Sequence, residues 1–262
     1  MRQEQAMQSY EPLYYEFAKD QGSWSSFPRK QVLQFIRGII GKDSRVLEIG
    51  CGTAEILQFL PEDIIYTGVE RSAYACSRAQ EKWQSTRPNS RFVSNPSHIS
   101  EVPEAQYDLV LLIFTLEHVE DPQGVLMQCG RVLRKGGNMV ILAPNLEFPL
   151  NWPSALRHKS LLFRIWFTII HCMDYGKRIF GILTFRILRR NFTDATKKYE
   201  KKDDDLRYLV SSWEVIKFLE ANNFSLREFW EGNGLSAMKK FVRYFPALQW
   251  YGTPLAAVFE KK

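Results

Sequence analysis

Through its first 145 residues the chain alternates short apolar runs with stretches of helical periodicity. Over 28–40, Val32, Leu33, Phe35, Ile36, Ile39 and Ile40 recur at three- and four-residue spacing behind Pro28, a residue suited to the first turn of a helix. Strand-like runs follow at 45–49, 64–69, 91–94, 107–113 and 138–143, with helices predicted between them around Ile56, Ala79 and Val125. Strands that are apolar on both faces leave neither face in water. The alternation therefore predicts a doubly wound, mostly parallel α/β sheet with helices on both sides. The carboxyl ends of such strands form the ligand edge, where Gly50, Glu70, Asn95 and Phe114 are expected to gather.

The pattern breaks after Pro144. Residues 146–205 carry no strand alternation and read as a helical insertion after the fifth strand. Arg157, Ser160, Arg164, Thr168 and His171 recur every three or four positions, a narrow polar stripe on a helix otherwise rich in residues such as Leu161, Leu162, Ile165, Trp166 and Phe167. Asp174-Tyr175-Gly176 is expected to turn the chain into a second apolar and basic helix over 177–190, and the charged run 197–205 reads as a solvated linker. Neither helix offers the roughly 18 uninterrupted apolar residues of a membrane span. Alternation then resumes: Ser211 and Glu214 stand at capping-box spacing, a helix ends near Asn222-Asn223, and closing strands are predicted over 224–231 and 255–260.

Net charge becomes informative once it is located. The chain carries +6 overall, yet between 148 and 193 eight Lys and Arg residues face Asp174 alone. This segment holds the whole excess, and the remaining body is close to neutral. Wide apolar faces flanked by Arg and Lys, with Trp152 and Trp166, suit a helix lying in the plane of an anionic membrane over 150–192. They equally suit a cap packed on its own domain. A nucleic-acid surface fits poorly, being normally polar with isolated aromatics.

The densest chemistry lies at 46–54, V-L-E-I-G-C-G-T-A, where an apolar run bearing one acid collapses into a glycine turn. Gly50 and Gly52 permit a tight turn and close approach of backbone to ligand. In a dinucleotide-binding G-x-G-x-x-G the third glycine would fall at 55, which here is Glu55, a poor neighbour for a pyrophosphate. Glu48 is a further acid directed at the same pocket, which favours a cationic ligand. Glu70 closes the next strand about 20 residues past the turn, where an acid accepts hydrogen bonds from both hydroxyls of a ribose.

Together Glu48, Gly50, Gly52 and Glu70 resemble the class I methyltransferases, which use S-adenosylmethionine and share a Rossmann-like, seven-stranded sheet with an antiparallel edge. The likeness extends to 107–120, Y-D-L-V-L-L-I-F-T-L-E-H-V-E, similar to the family's fourth strand and the loop after it. It continues at 131–145, similar to the family's turn and fifth strand, and at 213–224, similar to the helix before its sixth strand. In all it covers 28–145 and 205–262. The resemblance implies that Gly50, Cys51, Gly52 and Thr53, with Glu48, hold the methionine part, and that Glu70, with Arg71 beside it, holds the ribose. Asn95 and Pro96 would border the adenine, Asn95 standing where relatives often carry an acid, while Phe114 and Glu117 complete the pocket. Ala54 replaces the family's third loop glycine.

Three positions have two readings each. Arg29, within W-S-S-F-P-R-K, either holds the methionine carboxylate or is an exposed arginine at a helix start. Tyr14 and Tyr15, in an N-terminal helical arm over 1–42, either close over the cofactor or pack the arm on the sheet. His118 either takes a proton from an attacking hydroxyl or shapes the pocket as a hydrogen-bonded loop residue.

At 262 residues with 45% apolar and 14% aromatic content, one domain with ample core is expected. Cys51, Cys76, Cys129 and Cys172 form no C-x-x-C and no Cys/His cluster, which points to neither a metal site nor a disulfide framework and fits a reducing cytoplasm. The first ten residues do not read as a secretory signal. The expected function is methyl transfer from S-adenosylmethionine to an oxygen, with carbon and nitrogen as alternatives, of a small or lipid-linked acceptor. The chain would act in the cytoplasm or peripherally on the inner face of the membrane. The branch resembled acts on quinones, lipids and bacterial glycan precursors. Two other classes compete. Nucleic-acid methylation is opposed by Phe114-Thr115-Leu116-Glu117, where base-modifying enzymes often carry Asn/Asp-Pro-Pro-aromatic. A methyltransferase-like module that only binds is opposed by the intact glycine turn and Glu70.

Overall fold

The computed structural model describes residues 24–95, 98–153, 159–188, 206–231 and 235–262. Seven strands form one sheet: β1 Arg45–Ile49, β2 Ile65–Val69, β3 Ser90–Val93, β4 Tyr107–Ile113, β5 Leu133–Ala143, β6 Phe224–Phe229 and β7 Leu255–Lys261. Their order is β3-β2-β1-β4-β5-β7-β6. The first five strands pair in parallel, whereas β7 runs antiparallel between β5 and β6. The antiparallel member thus lies one place in from the edge, and β6 is the edge strand. Strand order reverses between β1 and β4, the switch point at which such sheets open a crevice for ligands.

The helices are α1 Arg29–Ile39, α2 Ala73–Trp83, α3 His98–Glu101, α4 Pro122–Val132, α5 Leu161–Ile179, α6 Ser212–Ala221 and α7 Ala237–Val242, with single three-ten turns at Glu55–Phe59 and Leu116–His118. Successive strand residues point to opposite faces. Leu47, Val110, Leu112 and Phe259 pack with α4 and α6, while Val46, Tyr66, Leu109 and Val258 pack with α1 and α2. Both faces are covered, which is why the strands read as nearly continuous apolar runs. Helix starts follow local chemistry: the hydroxyl of Ser72 accepts from Ala75 N and the carboxylate of Asp121 from Gly124 N, with Pro122 at the first helical position of α4. Asn223 adopts the left-handed conformation, φ 65°, just past α6.

The insertion departs from expectation in two ways. First, α5 runs unbroken through Asp174-Tyr175-Gly176 to Ile179, and 180–188 forms no second helix but an extended segment whose Ile187 pairs with Tyr208. Asp174 does not turn the chain because its carboxylate is held by Arg186, whose Nε and Nη2 donate to its two oxygens at 2.6 Å each. Arg186 is therefore engaged in an ion pair rather than free at the surface, and Arg157, Arg189, Arg190 and the linker 197–205 lie outside the described residues.

Second, only the later part of the polar stripe faces inward: His171 is buried, Arg164 and Thr168 are half-buried and Ser160 is exposed. His171, Asp174 and Arg178 are buried, and Arg178 reaches across to the body: Nη1 donates to the Glu147 carbonyl at 3.0 Å and Nε lies 3.3 Å from Glu214 Oε1. Glu214 Oε1 also accepts from Thr184 N at 2.6 Å, so Ser211 caps α6 through Glu214 N but the acid does not complete a capping box. Phe167 adds a small apolar contact with Leu146, Leu206 and Leu209. With His171, Asp174 and Arg178 seated against the body, α5 turns Leu162, Trp166 and Met173 outward, and Phe180 just past its end is exposed as well. Among the described residues no helix is long and apolar enough to cross a membrane.

Candidate functional site

The glycine turn is fastened to the end of β2 by backbone bonds: Gly50 N and Cys51 N donate to the Val69 carbonyl at 2.7 and 3.3 Å. Gly50, Gly52 and Ala54 all take positive φ, 71°, 53° and 54°. At Ala54 this left-handed conformation costs about 1 kcal/mol, a strain that glycine would not incur. At Gly50 a side chain is excluded twice, by φ and by Thr115, whose side chain occupies the place a Cβ would take. Thr115 is anchored there by donating to the Ile49 carbonyl at 2.9 Å, so β1 and the loop after β4 close on each other.

Glu70 faces this turn from the carboxyl end of β2. Its Oε2 accepts from Gly52 N and its Oε1 from Ser72 N, both at 3.0 Å. Two fixed amides thus hold the carboxylate against the turn, with the remaining lone pairs on its oxygens available to hydroxyl donors.

Glu48 lies deeper. It is buried and hydrogen-bonded to the Tyr66 hydroxyl, and burial pushes its carboxyl up to about 8, with the nearby charge of Glu70 adding to the rise and the Tyr66 bond opposing it. The space around it exists because Gly68 stands opposite in register, where a Cβ would fall 2.6 Å from Cys51 Sγ. Burial keeps the Cys51 thiol protonated, so it serves as a wall and not as a nucleophile. Thr53 presents its carbonyl to Trp83 Nε1 at 3.0 Å, and Glu55 turns away to pair with Lys82 at 2.6 Å.

Across the crevice Phe114 takes φ 53°, and the Arg29 guanidinium stacks 4.9 Å from its ring centre and 5.7 Å from that of Trp24. The start of α1 is thereby brought to the rim of the glycine turn. Glu117 is buried with Oε1 4.0 Å from His118 Nε2, and its carbonyl accepts from Arg207 N and Tyr208 N at 2.7 and 2.9 Å. The loop after β4 is in this way clamped by the segment that precedes α6, while the His118 side chain keeps partial access to solvent. Beyond 145 the chain forms an open cleft of about 420 Å³ lined by Leu150, Asn151, Trp152 and Arg164, with Arg164 stacked 4.3 Å over Trp152.

Of the residues singled out by sequence, Glu48, Gly50, Cys51, Gly52, Thr53, Glu70, Phe114, Glu117 and His118 come together at the ends of β1, β2 and β4, with Arg29 at their edge. Arg71 is exposed beside Glu70, and Asn95 is exposed at the end of β3. Pro96, Tyr14 and Tyr15 lie outside the described residues. Tyr66, Ser72 and Thr115 were missed, because each acts on a partner in another strand or loop. A glycine inside a strand, Gly68, was the one local hint of close approach.

A family model described as a methyltransferase domain matches residues 24–235. The chain belongs to that family. Its fold is that of the class I, S-adenosylmethionine-dependent methyltransferases, and the site fits that cofactor: a cradle with no room for a side chain at Gly50, a fixed acid at Glu70 and a buried acid at Glu48 suit a cationic nucleoside. The methyltransferase domain is 27% identical over 173 residues to the 27-O-demethylrifamycin SV methyltransferase of Amycolatopsis mediterranei, covering 64% of this chain and 59% of that one. It is 28% identical over 123 residues to a phosphatidylethanolamine N-methyltransferase of Cereibacter sphaeroides, covering 46% and 59%. The matched stretches thus span under two thirds of these relatives' length. Among solved structures, the 1,6-didemethyltoxoflavin-N1-methyltransferase of Burkholderia thailandensis, with 1,6-didemethyltoxoflavin and S-adenosylhomocysteine bound, superposes with a TM-score of 0.56 over 100% of this chain and 89% of that one at 15% identity, which shows the shared fold.

Proposed function

We propose that this protein transfers a methyl group from S-adenosylmethionine to an oxygen of a small or lipid-linked acceptor. The observation that carries the proposal is Glu70, held by the amides of Gly52 and Ser72 at the switch-point edge of the sheet, opposite a turn closed to side chains at Gly50. When bound, the cofactor supplies an electrophilic methyl group on a sulfonium. Everything else falls to the chain. Glu70 accepts from the ribose hydroxyls, Glu48 offers negative charge to the cationic methionine part, and the glycine turn lets backbone approach closely. Catalysis then rests mainly on holding an acceptor oxygen in line with the methyl group and its sulfur. His118 receives the proton released by the attacking hydroxyl, and Glu117, 4.0 Å from Nε2, balances the imidazolium that forms.

The acceptor side is proposed to work at a membrane surface, through 150–192. The orientation of α5 supports this reading. A cap closed on its own body would bury Trp166, which is instead 56% exposed, while His171, Asp174 and Arg178 are buried. Of the segment's cations, Lys177 is exposed beside that outward face, whereas Arg178 and Arg186 are paired with Glu214 and Asp174. The Amycolatopsis relative's name indicates methylation at oxygen and the Cereibacter relative's name a lipid, which favours an acceptor of this class over nucleic acid. Calorimetry with S-adenosylmethionine tests the cofactor half directly. Glu70→Ala removes a charged acceptor of two hydrogen bonds and should weaken binding by about 1.5–3 kcal/mol, roughly 10- to 150-fold. Binding at unchanged affinity in this variant, or no heat with the wild type, contradicts the proposal.

A further inference from the structure

The connection between β6 and β7 leaves and re-enters the sheet at the same edge as the insertion. Both β5 and β6 run antiparallel to β7, and Ala143 pairs with Leu255 and Phe229 with Ala257, so 235–254 lies beside the chain leaving β5. The bases of the two excursions touch: Asn145 Nδ2 donates to the Trp250 carbonyl at 2.9 Å, and the Phe148 and Tyr251 rings lie 4.5 Å apart. Within the second excursion Ser236 caps α7, Ala247 and Leu248 are buried, and Arg243 is tied to Glu231 at 2.6 Å. Trp250 and Tyr251 pack on Phe229 and Phe148, but four large side chains point away from the body. Met238, Phe241, Tyr244 and Phe245 are 76%, 62%, 86% and 46% exposed.

Single exposed apolar residues are ordinary, but four large ones within eight positions form a patch, and patches of this kind mark interaction surfaces. We infer that α7 and the turn after it form a second docking element for an anionic bilayer, acting with the outward face of α5. The inference rests on the membrane reading proposed above. Charge selects the occupant. Lys239 and Lys240 stand exposed beside the aromatic residues, as Lys177 does beside the outward face of α5, so both elements place an exposed cation next to exposed apolar side chains. A bilayer interface accepts that combination, with Phe241 and Met238 in the acyl region, Tyr244 at the headgroup level and the lysines on anionic lipid. In a two-fold contact the patch would face itself, and α7, which carries Lys239 and Lys240 and no acidic residue, would bring positive charge to both sides of the seam. Two separate docking points also fix orientation: the edge that carries the glycine turn faces the membrane, so a lipid-linked acceptor meets the crevice without leaving the bilayer.

The test is sedimentation of the full chain with phosphatidylglycerol/phosphatidylcholine vesicles and with phosphatidylcholine vesicles. Two variants are compared, Phe241→Ala with Tyr244→Ala and Lys239→Glu with Lys240→Glu, and S-adenosylmethionine affinity is followed as a control for folding. Each pair should lower partition onto anionic vesicles by about tenfold or more, with cofactor affinity unchanged. Only the lysine pair should remove salt-sensitive binding. Hydrogen exchange on the wild type, which needs no variant, should show amides 237–245 gaining protection when anionic vesicles are added. If the wild type binds anionic vesicles while both variants bind within about twofold of it and 237–245 gain no protection, the assignment of α7 is overturned and the membrane reading stands. If the wild type binds neither vesicle, the membrane reading fails and the role of α7 with it. Self-association of the wild type in ultracentrifugation that Phe241→Ala abolishes would instead assign the patch to a second copy and overturn the inference.

Discussion

Glu48 links cofactor affinity to pH in a way that a conventional surface acid would not. In the free protein its carboxyl, desolvated at the base of the turn, is pushed up to about 8, so it is mostly protonated near neutrality. A cation bound above it favours the carboxylate. Binding then draws out a proton, and affinity must climb as pH rises toward 8 and level off above it. With an ionising group at about 8 in the free protein and a much lower value in the complex, the competent fraction rises from about 1% at pH 6 to about half at pH 8, which is roughly a fiftyfold gain in affinity. Calorimetry of S-adenosylmethionine binding in two buffers of different ionisation enthalpy measures the released proton, expected close to one per site at pH 7. Glu48→Gln cannot ionise and should flatten the profile, which also subtracts any proton that the ligand itself exchanges. Tyr66→Phe removes a hydrogen bond that favours the carboxylate and should move the midpoint upward. A wild-type affinity that is flat between pH 6 and 8, with no proton released, would refute this reasoning.

Further outcomes are expected at other positions. His118→Ala should lower kcat about 10²-fold with cofactor affinity near normal, and an unaltered kcat in a folded variant would remove the base role. Gly50→Ala should lose at least about 2 kcal/mol in denaturant unfolding, because the residue has φ 71° and its Cβ would meet the Thr115 side chain; a wild-type unfolding curve would contradict the packing described. Burial lowers His171 to about 4, with Arg178 contributing, so the unfolded chain takes up a proton that the folded one refuses. The His171 contribution is therefore complete above 6.5 and is lost as pH drops toward 4, by up to about 3 kcal/mol, superimposed on the opposite slope of Glu48 and Glu147, whose carboxyls burial raises to about 8 and about 7. His171→Gln should flatten that slope in thermal melts between pH 4 and 7, and an unchanged slope would place its source elsewhere.

Much of this molecule was legible in one sequence because the signals were local. Nearly continuous apolar runs marked β1 to β5, and V-L-E-I-G-C-G-T-A with Glu70 marked the ligand edge, since glycine conformation and strand ends are set within a few residues. What escaped was set by long-range partners. Asp174-Tyr175-Gly176 carries turn residues, yet the bidentate pair with Arg186, twelve positions away, keeps it helical. Periodicity separated the two faces of α5 but did not say which one faces the body. Buried pairs such as Arg178 with Glu214 decide that, and they belong to segments far apart in sequence. Tyr66 and Thr115 were silent for the same reason, and that Met238 and Phe241 face outward on α7, and Phe245 after it, followed only from burial.

The central claim is that the crevice at Glu70 delivers methyl groups to an acceptor held at a membrane. It is tested most directly by incubating the protein with S-adenosylmethionine carrying a labelled methyl group and anionic vesicles prepared from a lipid extract of the source cells, then following the label. It should pass into an organic-soluble product with the wild type and be lost with Glu70→Ala and His118→Ala. Normal cofactor affinity without label in the lipid phase, or label confined to a water-soluble product, would contradict it.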